Sequence, residues 1–403
     1  MTKILICSTT HLSNNPRLVK ELNTLSKIST YKVEVVFFQF DDEKTKYDVD
    51  IIANLSNIIF SPIDWSRENP VRLFYTIISK LLIIIHRHLR FSLCPQQQIF
   101  PGYLKLYKSL KKAKADIYHG HNLGVLAAIT TIAKNQGKKC MFDAEDFHRG
   151  ETAITDLENR ITIFLENKYI PQLDILISAS PLITQEYTKL YPALRHININ
   201  NVFQVNKNEK KLDFESSRLK CIWFSQVVGL DRGLQDIISG ISKVTYGKIK
   251  LDIIGDYDEY TKQHLLLLNQ NPLHDIQFFR PLSPSNLDKI LINYDVGIAS
   301  ETSPNYNRTI CLTNKIFQYV SSGLAILASD TLAQKKFMDE NCNIGATYHI
   351  GSICEITEIL NLWIRDRDLL KEIKKTSQRL SAEQLNWALE KTKFLNAIEY
   401  ALR

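Results

Sequence analysis

One feature constrains this chain more than any other. Short β-branched runs alternate with longer stretches of helical periodicity, the pattern of parallel α/β sheets. In the first half the runs are Ile4–Ser8, Val33–Phe38, Ile117–His119, Lys139–Asp143 and Ile175–Ser178. In the second half they are Cys221–Phe224, Leu251–Ile254, Ile276–Phe279, Val296–Ser300 and Ala325–Ser329. Runs this apolar suit strands buried on both faces between layers of helices.

The two series are separated by a polar stretch, 204–217, that reads as a linker. At about 150 residues per domain, 403 residues make two or three domains. The expectation is an α/β chain with two Rossmann-like, doubly wound domains, 1–203 and 218–380, facing a cleft. A C-terminal helix, 381–403, packs back on the first domain. In open α/β sheets ligands bind beyond the carboxyl ends of the strands, so the residues after each strand carry the chemistry.

Composition excludes several classes. Apolar residues are 44% and charged residues 23%, which rules out a disordered or fibrous chain. With only 14 Gly, Gly-rich phosphate loops are scarce. The seven Cys are scattered, form no CxxC pair and have no zinc spacing, so they read as reduced, buried thiols in a cytosol. The first apolar run is too short for a secretory leader and reads as a strand. No stretch of about 18 apolar residues offers a membrane span. A net charge of +7 permits an acidic partner without requiring one.

Five segments that follow strands are chemically dense. After the first strand, Asn15 suits an N-cap, Pro16 the first helical position, and Arg17 the first turn. A helix start prefers anions, so Arg17 is either solvated or meets an anionic ligand. His119 and His121 flank Gly120, and either sit in a hydrogen-bonded turn or contact substrate hydroxyls; no third ligand has local metal spacing. Asp143, Glu145, Asp146, His148, Arg149 and Glu151 form a polar run that suits a carbohydrate site or a solvated helix start. Arg232 lies where a helix begins, a phosphate-binding position or a plain surface one. The densest segment is Glu301–Asp330, a polar loop, a helix over Asn314–Ser322, a Gly323 cap and a buried strand. There Lys315 and the helix start suit a diphosphate, and Gln318 suits ribose hydroxyls.

These motifs together resemble the GT-B glycosyltransferases of family 4, group 1. The matches are Asn15-Pro16-Arg17-Leu18, Asp116-Ile-Tyr-His-Gly-His-Asn122, Asp231-Arg232-Gly233 and Asn314-Lys-Ile-Phe-Gln through Ser329-Asp330, in the family's order across residues 1–335. Minor matches are Leu251–Asp256 and Asp174–Ser180. The family usually has Glu where Gln318 stands, and many members have a second Glu where Ile310 stands. Gln226 lies near a position where many place Arg, and Arg232 where many place Lys.

The resemblance implies transfer of a sugar from a nucleotide-diphospho-sugar to a hydroxyl of a glycan or lipid-linked acceptor. It implies retention of configuration, a hexosyltransferase-like activity, and no metal or other cofactor, since Arg and Lys take the metal's place. Its catalytic residues would be His121, Arg232 and Lys315. Donor binding would fall to Gln226, Gly255, Glu301, Thr313, Asn314 and Gln318. Acceptor binding would fall to Asn15, Arg17, His119, Glu145, Asp146 and His148. Two other functions stay open: a nucleotide-sugar 2-epimerase, and a non-catalytic relative that scaffolds a transferase complex, which Gln318 and Ile310 motivate.

A last feature bears on location. Residues 71–115 carry nine Lys or Arg and no acid, with apolar residues interleaved on an expected helix, Leu73–Leu89. A basic amphipathic helix suits the surface of an anionic membrane, here the inner face of the cell membrane during envelope polysaccharide assembly. A core-packed helix with solvated lysines has the same pattern. The run has no nucleic-acid-binding motif, so nucleic acid is not an expected partner.

Overall fold

A computed structural model describes residues 1–55, 57–89, 93–153, 155–205 and 218–403. The chain forms two compact units, Met1–Asn200 with Lys391–Arg403, and Asn201–Glu390. Of the expected linker, residues 206–217 lie outside the described residues, as does Arg90 of the basic run.

The first unit holds seven parallel strands: β1 (Thr2–Ser8), β2 (Tyr31–Gln39), β3 (Ile58–Asp64), β4 (Ile117–His121), β5 (Lys139–Ala144), β6 (Ile175–Ser178) and β7 (Arg195–Asn198). Their order is β3-β2-β1-β4-β5-β6-β7. The order reverses between β1 and β4, where register pairs Ser8 with His121 at the carboxyl ends. Helices cover both faces, so central strands such as Ile4–Cys7 and Met141–Ala144 are buried throughout.

The second unit repeats the plan with six parallel strands: β8 (Arg218–Val227), β9 (Lys248–Asp256), β10 (Asp275–Phe279), β11 (Val296–Ala299), β12 (Ala325–Ser329) and β13 (Gly345–Tyr348). The order β10-β9-β8-β11-β12-β13 reverses between β8 and β11. Its core joins Trp223, Ile238, Ile253, Ile298, Leu327, Leu360 and Trp363. Burying each such side chain contributes roughly 1.5–3 kcal/mol.

Both sheets are of the doubly wound α/β class expected from the sequence. Three strands were not foreseen, β3, β7 and β13, and all three are edges. Edge strands are only partly buried, so they lack the continuous apolar run that marks an inner parallel strand. β3 also contains Pro62, which an edge strand tolerates.

The C-terminal end differs from one helix over 381–403. One helix runs Arg367–Glu383 and a second Trp387–Leu402. Asn386 makes the break: its amide donates to the Ser381 carbonyl at 2.9 Å, and its Oδ1 accepts from the Leu389 N–H at 3.2 Å. The last turns belong to the first unit, where Tyr400 lies under the Arg195 guanidinium at 4.0 Å.

The expected basic helix forms as Pro70–Leu89, but it is not packed into the core. Only Ser79 on it is buried, through bonds to the Tyr75 and Gln97 carbonyls. Phe74, Ile77, Leu81 and Ile84 form an exposed apolar stripe, with Leu73 and Phe74 62% and 60% exposed. Among the described residues no helix is long and apolar enough to cross a membrane.

Candidate functional site

Each sheet gathers its polar residues where the strand order reverses. In the first unit they come from the ends of β1, β4 and β5 and from the Pro16–Leu25 helix. Asn15 caps that helix by accepting from the Leu18 N–H at 2.9 Å, and its Nδ2 donates to Glu145 Oε1 at 2.6 Å. Asn122 joins β1 to β4: its Oδ1 accepts from Ser8 Oγ at 2.9 Å.

Arg17 is neither solvated nor open to a ligand. Its side chain is buried, its Nε donates to Asp143 Oδ2 and its Nη1 to the Ile199 carbonyl. Burial alone would favour a neutral guanidine, but Asp143 outweighs it and raises the Arg17 pKa.

Glu21, one turn after Arg17, ties the two histidines together. Its Oε2 lies 3.1 Å from His119 Nε2 and 2.9 Å from His121 Nε2. The other His121 nitrogen, Nδ1, is 3.0 Å from Glu145 Oε1. With a carboxylate on each nitrogen, His121 is held as the doubly protonated cation. Burial pushes its pKa down, but Glu21 and Glu145 push it up to about 10. The same contacts keep Glu21 below the usual carboxylate range despite its burial. Burial holds Asp143 above its ordinary value, against the pull of Arg17. At the edge of this cluster, His148 Nδ1 meets Glu151 at 2.7 Å, which outweighs burial and raises the His148 pKa to about 9. Asp146, next to Glu145, is half-buried.

Glu21, His119, His121 and Asp143 are all buried, and one ligand atom from each lies within 4.8 Å of the others. Such N and O donors suit a divalent metal. Arg17 and protonated His121 already set two positive charges against the carboxylates of Glu21, Asp143 and Glu145. Local spacing hid this set, because Glu21 and Asp143 come from other elements. One signal was present: Glu21 stands on the apolar face of its helix, beside Leu18, Leu22 and Leu25.

In the second unit the centre is Glu301, buried directly after β11. Lys315 Nζ lies 2.6 Å from Glu301 Oε1; Arg308 Nη1 and Arg232 Nη1 lie 3.0 and 3.7 Å from Oε2. Lys315 also sits 4.8 Å above the Trp223 ring. Burial lowers its pKa, and Glu301 opposes the shift.

Local chemistry aims these groups. Arg232 ends the short turn Leu230–Arg232, and Gly233 follows at φ +72°, a left-handed geometry that favours glycine. Thr302 Oγ1 donates to the Asp231 carbonyl at 2.6 Å and so fastens that turn to the Glu301 loop. At Gly255 a Cβ would lie 2.7 Å from the Ser225 carbonyl oxygen, so only glycine lets β9 approach β8 here.

The other expected donor residues spread around this centre. Thr313 precedes the Asn314–Ser321 helix, with its Oγ1 buried and, among the described residues, unpartnered. Asn314 Oδ1 accepts from Asn201 Nδ2 at 2.6 Å. Gln318 is buried and donates to Asp288 Oδ1 at 2.8 Å. Gln226 is exposed at the end of β8. Arg308, Trp223, Asn201 and Asp288 were not singled out by the sequence, since nothing in local spacing links them to Glu301.

Two doubly wound parallel sheets, each with polar groups at its switch point, are the GT-B fold, and comparison with solved structures agrees. No protein-family model matches this chain, and no curated protein matches it. Anabaena HepE, solved in complex with UDP and glucose, superposes with a TM-score of 0.70 over 99% of this chain and 100% of its own, at 12% identity. The sucrose-phosphate synthase of Thermosynechococcus elongatus gives 0.73 over 99% and 98%, at 10% identity. A variant of S. aureus TarM, holding Fondaparinux, α-GlcNAc-glycerol and UDP, gives 0.68 over 98% and 99%, at 10% identity.

Proposed function

We propose that this chain is a hexosyltransferase-like glycosyltransferase. It moves a sugar from a nucleotide-diphospho-sugar to a hydroxyl of a glycan or lipid-linked acceptor, with retention, in envelope polysaccharide synthesis. The observation that carries the reading is the convergence of Arg232 and Lys315 on Glu301 at the β8–β11 switch point. As the nucleoside diphosphate leaves, charge grows on its phosphate oxygens. Fixed cations there lower the barrier, and they perform the task that a metal performs elsewhere. HepE and TarM, by their own descriptions, bind UDP, and HepE also binds UDP-glucose.

In the first unit the proposal gives acceptor contact to Glu145, whose side chain is 25% exposed. His121 has both ring nitrogens engaged and no exposure, so it acts through Glu145 as a positioning residue. Arg17, Asn15 and His119 hold that frame, while Asp146 and His148 border it.

The Pro70–Leu89 helix is proposed to bring the enzyme to an anionic membrane surface carrying its acceptor. The apolar stripe is flanked by Lys80, exposed lysines at 105, 108, 111 and 112 follow on the Tyr103–Lys112 helix, and a cavity of about 440 Å³ is lined by His86, Arg87, Leu157 and Arg160. Basic residues near such a surface contribute about 1 kcal/mol each.

A thermal-shift screen of nucleotide sugars tests the catalytic reading, because a ligand at 100 times its Kd adds about 2.7 kcal/mol. Stabilisation by one nucleotide sugar, followed by acceptor-dependent sugar transfer, is expected. Turnover of the nucleotide sugar without acceptor would identify a 2-epimerase instead. A second reading, a non-catalytic scaffold, draws on Gln318 being neutral and engaged by Asp288. It predicts no nucleotide-sugar binding at all.

A further inference from the structure

Resting on the glycosyl-transfer reading above, we propose that Arg308 is a third donor-site cation, contacting the terminal phosphate of the nucleoside diphosphate. Three cations crowd one buried carboxylate. Lys315 takes Oε1 of Glu301, while Arg232 and Arg308 share Oε2. Among the described residues, the other carboxylate within ion-pair distance of these cations is Asp231, 3.8 Å from Arg232 and 64% exposed. The cluster is therefore left with uncompensated positive charge in a part-buried place, which an anionic ligand relieves.

The Arg308 side chain is built to serve such a ligand. It is 31% exposed, and among the described residues its guanidinium hydrogen-bonds only Glu301, leaving most of its five donors for a phosphate. Asn305 Oδ1 accepts from the Arg308 N–H at 2.9 Å, which fixes the backbone that carries it. The arrangement also answers the departure in the first loop of this unit. Gln226 stands there near a position where many resembling enzymes have Arg, and Arg308 supplies a second guanidinium from the short Tyr306–Ile310 helix.

Calorimetry on the full chain with UDP, GDP, ADP and inorganic pyrophosphate, together with the matching monophosphate, tests this. Arg308→Ala is expected to weaken the diphosphate about tenfold and the monophosphate less than twofold, with Arg308→Lys recovering most of the loss. A residue that only neutralises Glu301 would weaken both ligands alike, and that result overturns the proposal. So does unchanged diphosphate affinity in Arg308→Ala alongside lost affinity in Arg232→Ala, which leaves the transferase reading standing. Binding of none of the four probes by the wild-type chain overturns that reading as well. Should Arg308→Ala unfold, Arg308→Gln and Arg308→Lys carry the same comparison.

Discussion

Lys315 Nζ lies 2.6 Å from Glu301 Oε1, and both side chains are nearly sealed from solvent. A buried ammonium needs its carboxylate, and the carboxylate needs its cation. Removing Glu301 strands the buried ammonium beside Trp223, whereas removing Lys315 leaves Glu301 paired with Arg308 and Arg232.

Substitution at this pair should therefore have two separable effects. Lys315→Ala is expected to lower stability by about 1–2 kcal/mol, since Arg308 and Arg232 still pair Glu301. Glu301→Gln, which leaves three cations without their carboxylate, is expected to cost about 3 kcal/mol, both read from urea denaturation. Lys315→Ala is also expected to cut sugar transfer at least 100-fold in the remaining folded protein, since under the proposed function a donor to the leaving group is lost. Arg232 is one-fifth exposed, so Arg232→Ala should cost little stability while depressing turnover to a similar degree. Unchanged kinetics in both Lys315→Ala and Arg232→Ala would remove the transferase mechanism.

Arg17 makes the opposite forecast. It is enclosed by Asp143 and the Ile199 carbonyl, so its contribution is to the frame. Arg17→Met should destabilise the chain by about 3 kcal/mol, because buried Asp143 loses its hydrogen-bonded counter-ion and, among the described residues, keeps only His121 Nδ1, 3.8 Å away. Equilibrium denaturation showing a loss below about 1 kcal/mol would contradict that account.

His121 and Glu21 predict a pH dependence. The His121 pKa is raised to about 10 in the folded chain, against about 6.5 when unfolded. Its contribution is thus complete below about pH 6.5 and is lost as pH rises through about 10. Glu21 is depressed by the same contacts, so its share is present above the unfolded carboxylate value near 4.3 and is lost as pH falls through its lower folded value. Thermal unfolding of the wild type should weaken between pH 7 and 10. Glu21→Gln should be less stable at pH 7 and show a flatter alkaline limb; parallel curves would show that the pair does not set the slope.

Membrane contact is checked by sedimentation with vesicles containing anionic lipid. Replacing both Leu73 and Phe74 by Ser should reduce binding at least tenfold, since each fully buried side chain contributes roughly 1.5–3 kcal/mol. Raising the salt should weaken binding of the wild type and the variant alike. A wild type that stays in the supernatant at low salt would leave the exposed stripe without this role.

Much of the architecture was legible in the residues themselves. Buried parallel strands announce themselves as apolar runs, because both faces must be covered. Hence Ile4–Cys7 and Ala325–Ala328 were readable, whereas β13, an edge strand with three half-covered residues before buried Tyr348, was not. Local signals likewise placed Asn15 as a cap, Arg232 at a helix start and Lys315 in the first turn of its helix, since capping and turn chemistry act within a few residues.

What only the tertiary structure decided is who meets whom. Glu21 joins His119 across 98 positions, Arg17 joins Asp143 across 126, and Arg308 comes to Glu301 from a separate short helix. Sequence fixes the order of elements along the chain, but strand order in the sheet is set by crossover packing. That packing turned Arg17 from an apparent ligand-facing cation into an internal counter-ion. It also turned the Pro70–Leu89 helix outward: one face finds partners, through Ser79 and through Tyr75 stacked on Trp65, while Leu73, Phe74, Ile77, Leu81 and Ile84 stay exposed.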